Sequence, residues 1–155
     1  MESVTETARI LLTVAILSGV ALSAFVWRLT RPSREPHERL VSQLHLSQWA
    51  ALLLAAAGAV GIGQAVTAAA APGAMVEAST GILALIVAAV VLRREPEQAL
   101  LLAGGCLLLH GLFDWAHRTP LLTAAFVPDW WSVGSAIYDA YIAVLCVVAV
   151  LPRRE

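Results

Sequence analysis

Five apolar stretches constrain this chain more than any other feature of its sequence. Each is close to the length of about 20 residues that an α-helix needs to cross a bilayer, and connections rich in proline or charge separate them. The predicted helices cover residues 9–28, 46–70, 76–92, 97–117 and 130–151. The sequence therefore predicts an all-α fold, an integral membrane bundle of five transmembrane helices in one domain over residues 1–155.

Composition excludes a soluble alternative. Apolar residues make up 59% of the 155 residues and charged residues 14%, so a soluble core of this size could not bury the apolar surface. The lipid bilayer is the expected partner, and we expect no nucleic acid. Residues 1–6 carry acidic rather than basic charge, so we interpret the first apolar stretch as a retained helix and not as a signal peptide.

The distribution of arginine predicts an orientation. All ten basic side chains are arginines, and in a five-helix topology most fall on one side of the membrane. That side holds Arg28, Arg31, Arg34, Arg39, Arg93, Arg94, Arg153 and Arg154, and the other holds Arg9 and Arg118. Because cytoplasmic loops are enriched in basic residues, we expect an outside N-terminus and a cytoplasmic C-terminus, in the cell (plasma) membrane.

Ionisable side chains inside the fourth apolar stretch indicate a functional site. His110, Asp114 and His117 have the spacing i, i+4, i+7 and share one helical face. A charged side chain near mid-bilayer costs roughly 3 kcal/mol, so such a group needs a functional reason. By helical rise, His110 and Asp139 lie about 10 and 13 Å below the outer ends of their helices. We predict that they meet in an outward-facing pocket between helices four and five.

Other polar or sulfur-containing side chains are expected to support this pocket. They are Gln64, Glu77, Cys106, Ser132, Ser135 and Tyr138.

Helices two and three also carry small-residue faces, which let transmembrane helices approach closely. These faces comprise Ala57 and Gly61 on one helix and Gly81, Ala84 and Ala88 on the other. The mostly apolar connection 119–129 is interpreted either as a lid on the membrane or as an interfacial segment anchored by tryptophan.

Imidazole nitrogen and carboxylate oxygen are ligands that suit a divalent metal, zinc or iron. The predicted ligands are His110, Asp114 and Asp139, with one position left for water, and His117 is the predicted catalytic acid or base. A metal-dependent hydrolase acting on a lipid or other amphiphile is the resulting hypothesis. No haem is expected within one chain, because His110 and His117 lie about 10.5 Å apart on one helix, and His37 and His45 lie on the opposite side, in a predicted cytoplasmic helical extension that includes residues 35–39.

Two other classes of function stay open. His110 and Asp139 could form a purely structural pair in a non-catalytic subunit of a larger membrane complex, whose small-residue faces on helices two and three contact a partner or a second copy. An ion or proton pathway is the third possibility. Against a pathway, the cytoplasmic half of helices two to five is nearly all apolar.

The motif His110-x3-Asp114-x2-His117, followed by Trp130 and Tyr138-Asp139-Ala140, resembles the pattern of small uncharacterised bacterial multi-pass membrane proteins. More distantly it is similar to the alkaline ceramidase and adiponectin receptor superfamily of intramembrane zinc hydrolases. The resemblance covers about the C-terminal third. That superfamily has seven helices, and the paired histidines of its last helix have no counterpart in helix five here. Metal-dependent hydrolysis is what the resemblance implies.

Overall fold

A computed structural model describes residues 2–29, 35–116 and 127–151. Over these residues the chain forms five α-helices, which are α1 (Glu2–Leu29), α2 (Pro36–Thr67), α3 (Ala74–Val91), α4 (Pro96–Ala116) and α5 (Asp129–Val150). Each of these helices is long and apolar enough to cross a membrane. The predicted all-α, five-helix fold is confirmed, and it is the fold of a multi-pass membrane protein.

The second helix begins earlier than the predicted membrane span, because it includes the predicted helical extension. It starts at Pro36 rather than at residue 46, and proline is favoured in the first turn because the N–H it lacks has no helical acceptor there. His37 and His45 are both exposed on this extension of α2. After α2 ends, Gly73 adopts a φ of 90° and α3 begins at the next residue. A side chain at position 73 would strain that backbone.

The extension of α2 supports the end of α5. The side-chain Nε2 of Gln43 donates a hydrogen bond of 3.0 Å to the carbonyl oxygen of Ala149. The Arg39 guanidinium donates one of 3.4 Å to the carbonyl oxygen of Leu151. Carbonyl groups in the last turn of a helix lack helical N–H donors, so these side chains satisfy them from a neighbouring helix. The arginine charge is also favourable at the negative end of the helix dipole.

Glycines allow the closest helix contacts. α2 packs chiefly on α3, and α4 packs chiefly on α5. A Cβ atom placed on either Gly58 or Gly81 would lie 2.6 Å from the carbonyl oxygen of the other. Gly104 and Gly111 have the same role on α4, facing α5. The small-residue faces of α2 and α3, which the sequence offered as partner surfaces, therefore pack on each other within the chain.

Apolar side chains cover both the interior and the outside of the bundle. Leu54, Leu100 and Leu107 are almost completely buried in the core. Other large apolar side chains face outward, among them Met75 with 79% of its surface exposed and Leu109 with 69%. An outer surface of this kind is unfavourable in water and suits contact with lipid chains.

The first helix is attached to α5 through hydroxyl groups. The hydroxyls of Ser18 and Tyr138 are hydrogen-bonded at 2.8 Å, and those of Ser23 and Tyr141 form a second pair. Towards its C-terminal end α1 also buries apolar side chains, including Leu29. Much of the rest of its surface is exposed and apolar. α1 is therefore a peripheral helix, and the tight packing lies in the four helices that follow.

Candidate metal centre

Two residues of the candidate site come from α4 and one comes from α5. His110 and Asp114 are one helical turn apart on α4, so their side chains share a face. Gly111 lies between them in the sequence and faces α5. A Cβ at Gly111 would be 3.1 Å from the carbonyl oxygen of Ala136 and 3.2 Å from Cβ of Asp139. The absence of a side chain at position 111 thus lets α5 bring Asp139 close to His110.

The three side chains converge on one point. His110 Nδ1 lies 2.7 Å from Oδ2 of Asp139, which is hydrogen-bond distance, and 3.6 Å from Oδ2 of Asp114. One potential ligand atom from each of the three residues lies within 4.8 Å of the other two. The meeting of helices four and five at His110 and Asp139, predicted from their depth in the membrane, is confirmed.

These groups are buried. Asp114 and Asp139 are each 4% exposed, and the His110 side chain is 12% exposed. A carboxylate removed from water is costly unless a cation or hydrogen bonds compensate its charge. A protonated imidazole and a bound metal ion are both able to supply that compensation. If both aspartates are ionised, their burial around one imidazole requires a cation at this position; protonation of a carboxyl group is the alternative.

A hydrogen-bonded pair can be converted to a metal site with little movement. Tetrahedral ligands about 2.1 Å from a zinc ion lie roughly 3.4 Å from each other. His110 Nδ1 and Asp139 Oδ2 are separated by 2.7 Å. Replacement of the shared proton by a metal ion would thus require these two atoms to separate by less than about 1 Å. One histidine and two aspartates are a chemically suitable donor set for zinc or iron.

A further buried acidic side chain lies on α3. Glu77 is buried, with 4% of its surface exposed. Its Oε1 occupies the space beside Gly61 of α2, where a Cβ would lie 3.1 Å away. Glu77, predicted from the sequence as a supporting residue, is therefore buried between α2 and α3, and it lies outside the group of three potential ligands.

The remaining supporting residues occupy varied positions. On α5, Ser132 is buried and Ser135 is half-buried, and Tyr138 uses its hydroxyl to bind Ser18 of α1. Cys106 is half-buried on α4, one turn from His110, and Gln64 is half-buried near the end of α2.

Some predicted features fall outside the described residues. His117, the predicted acid or base, is one of them. Residues 117–126, which form most of the predicted lid, lie outside them as well. The described part of the site therefore consists of the proposed ligands and their neighbours on α2, α3 and α5.

Two glycines contribute to the site in ways that the sequence reasoning did not recognise. Gly111 allows α5 to approach α4 beside the site, and Gly61 makes room for the Glu77 carboxylate. Gly61 appeared in the sequence only as part of a small-residue face. The available signal for Gly111 was its position between His110 and Asp114, on a helix that had to pack closely to bring Asp139 near.

The fold and the site together define a class: a multi-pass membrane helical bundle with a buried group of one histidine and two aspartates that could hold a metal ion. No protein-family model, curated protein or solved structure matches the chain. The chemistry of the site therefore has to carry the functional assignment.

Proposed function

We propose that this protein is a metal-dependent hydrolase embedded in the membrane, acting on a lipid or other amphiphile. The observation that carries the proposal is the convergence of ligand atoms from His110, Asp114 and Asp139 within 4.8 Å at a buried position. Three protein ligands leave a coordination position for water, which is the arrangement of catalytic zinc sites. Zinc and iron are the ions proposed for this site, because both accept imidazole nitrogen and carboxylate oxygen as ligands.

The proposed reaction is hydrolysis of an ester or amide. His110, Asp114 and Asp139 would hold a divalent ion, which would lower the pKa of a bound water and polarise a carbonyl group, so that the water could act as a nucleophile near neutral pH. The water oxygen forms a bond to the carbonyl carbon, and the bond from that carbon to the leaving oxygen or nitrogen breaks. One proton of the water passes to the leaving group. His117 is the proposed acid or base for this transfer.

The depth of the site supports an amphiphilic substrate. Trp115 on α4 and Trp130 on α5 are 52% and 40% exposed, and tryptophan is enriched at the interface between membrane and water. Along the helices, His110 lies about 8 Å from Trp115, and Asp139 about 13 Å from Trp130. The site is thus below the interface, where the upper part of a lipid chain lies. We place it in the outer leaflet of the plasma membrane, on the strength of the arginine distribution.

The resemblance to the alkaline ceramidase and adiponectin receptor superfamily supports the same chemistry. A non-catalytic subunit is the competing proposal. It has less support, because the small-residue faces on α2 and α3 that would contact a partner are occupied by each other at Gly58 and Gly81.

Metal content and lipid hydrolysis test the proposal together. In protein purified in detergent without chelator, we expect near-stoichiometric zinc or iron by mass spectrometry, and loss of the ion in His110→Ala and Asp139→Ala. Asp129→Ala is the matched control, because Asp129 is an exposed acid on α5. In vesicles of bacterial lipid extract, the metal-loaded protein should release fatty acids, and the two ligand variants should not.

Two outcomes would contradict this proposal at different steps. A folded wild-type protein that binds neither zinc nor iron would exclude the metal site. A metal-loaded protein that releases nothing from the vesicles would exclude hydrolysis of those lipids and leave the metal site in place.

A further inference from the structure

One face of α5 carries two serines that lie outside the group of three potential ligands. Ser135 and Ser132 are one and two turns from Asp139 towards the start of α5, about 6 and 10.5 Å along the helix axis. Both lie within about 40° of Asp139 around the helix, so the three side chains share a face. That face is turned into the bundle, because Ser132 is only 2% exposed and Ser135 is half-buried.

The contact between α4 and α5 places these serines beside the metal site. A Cβ at Gly111 would lie 3.1 Å from the carbonyl oxygen of Ala136. A Cβ at Gly104, seven residues earlier on α4, would lie 3.3 Å from the carbonyl oxygen of Ala143, seven residues later on α5. The two helices are thus antiparallel in a constant register. The same register places Asp114, one turn beyond Gly111, opposite the turn of α5 that carries the two serines.

The hydroxyl groups of these serines are available to a ligand. Hydroxyls elsewhere in the bundle donate to a carbonyl oxygen three or four residues earlier in their own helix, as those of Ser47, Ser79 and Thr80 do. Within the described part of the chain, the hydroxyls of Ser132 and Ser135 make no hydrogen bond. A buried hydroxyl without a hydrogen bond is costly, so these groups suit water molecules or an arriving polar ligand.

In the opposite direction from the site, the bundle is apolar and closely packed. Leu100, Leu107 and Cys146 are at most 1% exposed. A Cβ at Gly104 would lie 3.1 Å from Cβ of Cys146, so α4 and α5 leave no room between them for a hydrated ion. An ion is also strongly disfavoured among apolar side chains. The site is therefore closed on this side and bordered by hydroxyl groups on the other.

We propose that the serine face of α5 is the route by which a divalent cation reaches the metal site, from the end of the bundle that carries Trp115 and Trp130. This inference rests on the metal site proposed above. The hydroxyls of Ser132 and Ser135 bind the water molecules around the cation as it passes, and the ligand group then takes up the cation. A route of this kind lowers the barrier to entry and to exit equally. It therefore changes the rates of binding and release and leaves the affinity as it is.

Zn²⁺ kinetics in detergent, followed by stopped flow with a chromophoric chelator, distinguish a route from a ligand. We expect Ser132→Ala and Ser135→Ala each to slow association and release about fivefold, with Zn²⁺ affinity within about twofold of wild type. Ser79→Ala is the matched control and should leave both rates unchanged. The Ser79 hydroxyl is exposed on α3 and donates to the carbonyl oxygen of Met75.

The direction of the route is tested with the wild-type protein in proteoliposomes. A tag fused after Glu155 follows the end of α5, which is the end away from Trp130. External protease cleaves this tag only in molecules that expose that end to the outside. A membrane-impermeant chelator should therefore remove Zn²⁺ from the molecules with protected tags and leave it in those with cleaved tags.

Three results would contradict the proposal at different steps. Unchanged rates in both serine variants, or removal of Zn²⁺ from the molecules with cleaved tags, would overturn the route and leave the metal site in place. Weaker Zn²⁺ affinity with an unchanged association rate would place the serines in the binding group and would likewise overturn the route. A wild-type protein that binds no Zn²⁺ would refute the proposed function itself.

Discussion

At the scale of single residues, a hydrogen bond between His110 and Asp139 joins α4 and α5 inside a mostly apolar bundle. The two atoms are 2.7 Å apart, and both side chains are largely removed from solvent. Each group alone would be costly to bury, because it would lose its interactions with water. Together each offsets much of the cost of the other, so removal of either one leaves an uncompensated group inside the bundle.

A double-mutant cycle should therefore reveal coupling between these residues. In chelator-treated protein, we expect His110→Ala and Asp139→Ala to be coupled by about 1 to 2 kcal/mol of unfolding free energy, near the upper end for hydrogen bonds between membrane helices. Unfolding by a denaturing detergent provides the measurement. A parallel cycle of His110→Ala with Glu97→Ala should be additive. Additivity in the first cycle as well would show that the 2.7 Å contact contributes nothing to stability.

The depth of a residue along its helix predicted the contact between His110 and Asp139. The positions of other polar side chains depend on how the helices pack. His110 and Asp139 lie at similar depths on helices that neighbour each other, so their contact could be predicted from the sequence. The seating of Glu77 against Gly61 could not, because it depends on the rotation of α2 about its own axis. Tyr138 precedes Asp139, yet its hydroxyl binds Ser18 of α1, since consecutive residues on a helix point about 100° apart.

At the scale of helices, the contact of α2 with α3 depends on the absence of side chains. A Cβ on Gly58 would meet the backbone oxygen of Gly81 at 2.6 Å, and backbone cannot move aside without separating the two helices. Close approach of this kind supplies the van der Waals contact that holds membrane helices together, since lipid gives them no hydrophobic driving force.

Alanine should destabilise the bundle at one glycine of α2 and not at another. Gly58→Ala is expected to destabilise the bundle by about 1 to 3 kcal/mol, because the added methyl group overpacks the contact with α3. Gly63→Ala is the matched control. A Cβ there meets nothing within 4 Å, and alanine favours the helix, so we expect no loss of stability. Equal thermal stability of the two variants in detergent would contradict the close contact between α2 and α3.

Hydropathy predicted the number of helices better than it predicted where they begin. A window of apolar residues detects a membrane span, and it misses a polar helical extension such as 36–45. That extension is stabilised by tertiary contacts, namely the hydrogen bonds from Arg39 and Gln43 to the end of α5. Such contacts join residues far apart in the sequence, so no local pattern indicates them.

At the scale of the whole molecule, the bundle contains two tightly packed helix pairs. α2 and α3 form one pair, and α4 and α5 form the other, which contributes the three proposed ligands. α1 is attached at the periphery, on the outside of α5. A cation bound by His110 and Asp114 of α4 and by Asp139 of α5 would join these two helices, so its binding should be linked to the stability of the bundle.

The orientation of this bundle decides in which leaflet of the membrane the candidate site lies. The bond from Arg39 to the carbonyl oxygen of Leu151 places the start of α2 beside the end of α5, at the end of the bundle away from Trp115 and Trp130. Arginine enrichment predicts that this end is cytoplasmic. A fluorescent protein fused after Glu155 should thus fluoresce, and alkaline phosphatase fused there should be inactive. Phosphatase inserted within 117–126 is the control and should be active. The opposite pattern would show that the site lies in the cytoplasmic leaflet. The geometry of the site would be the same.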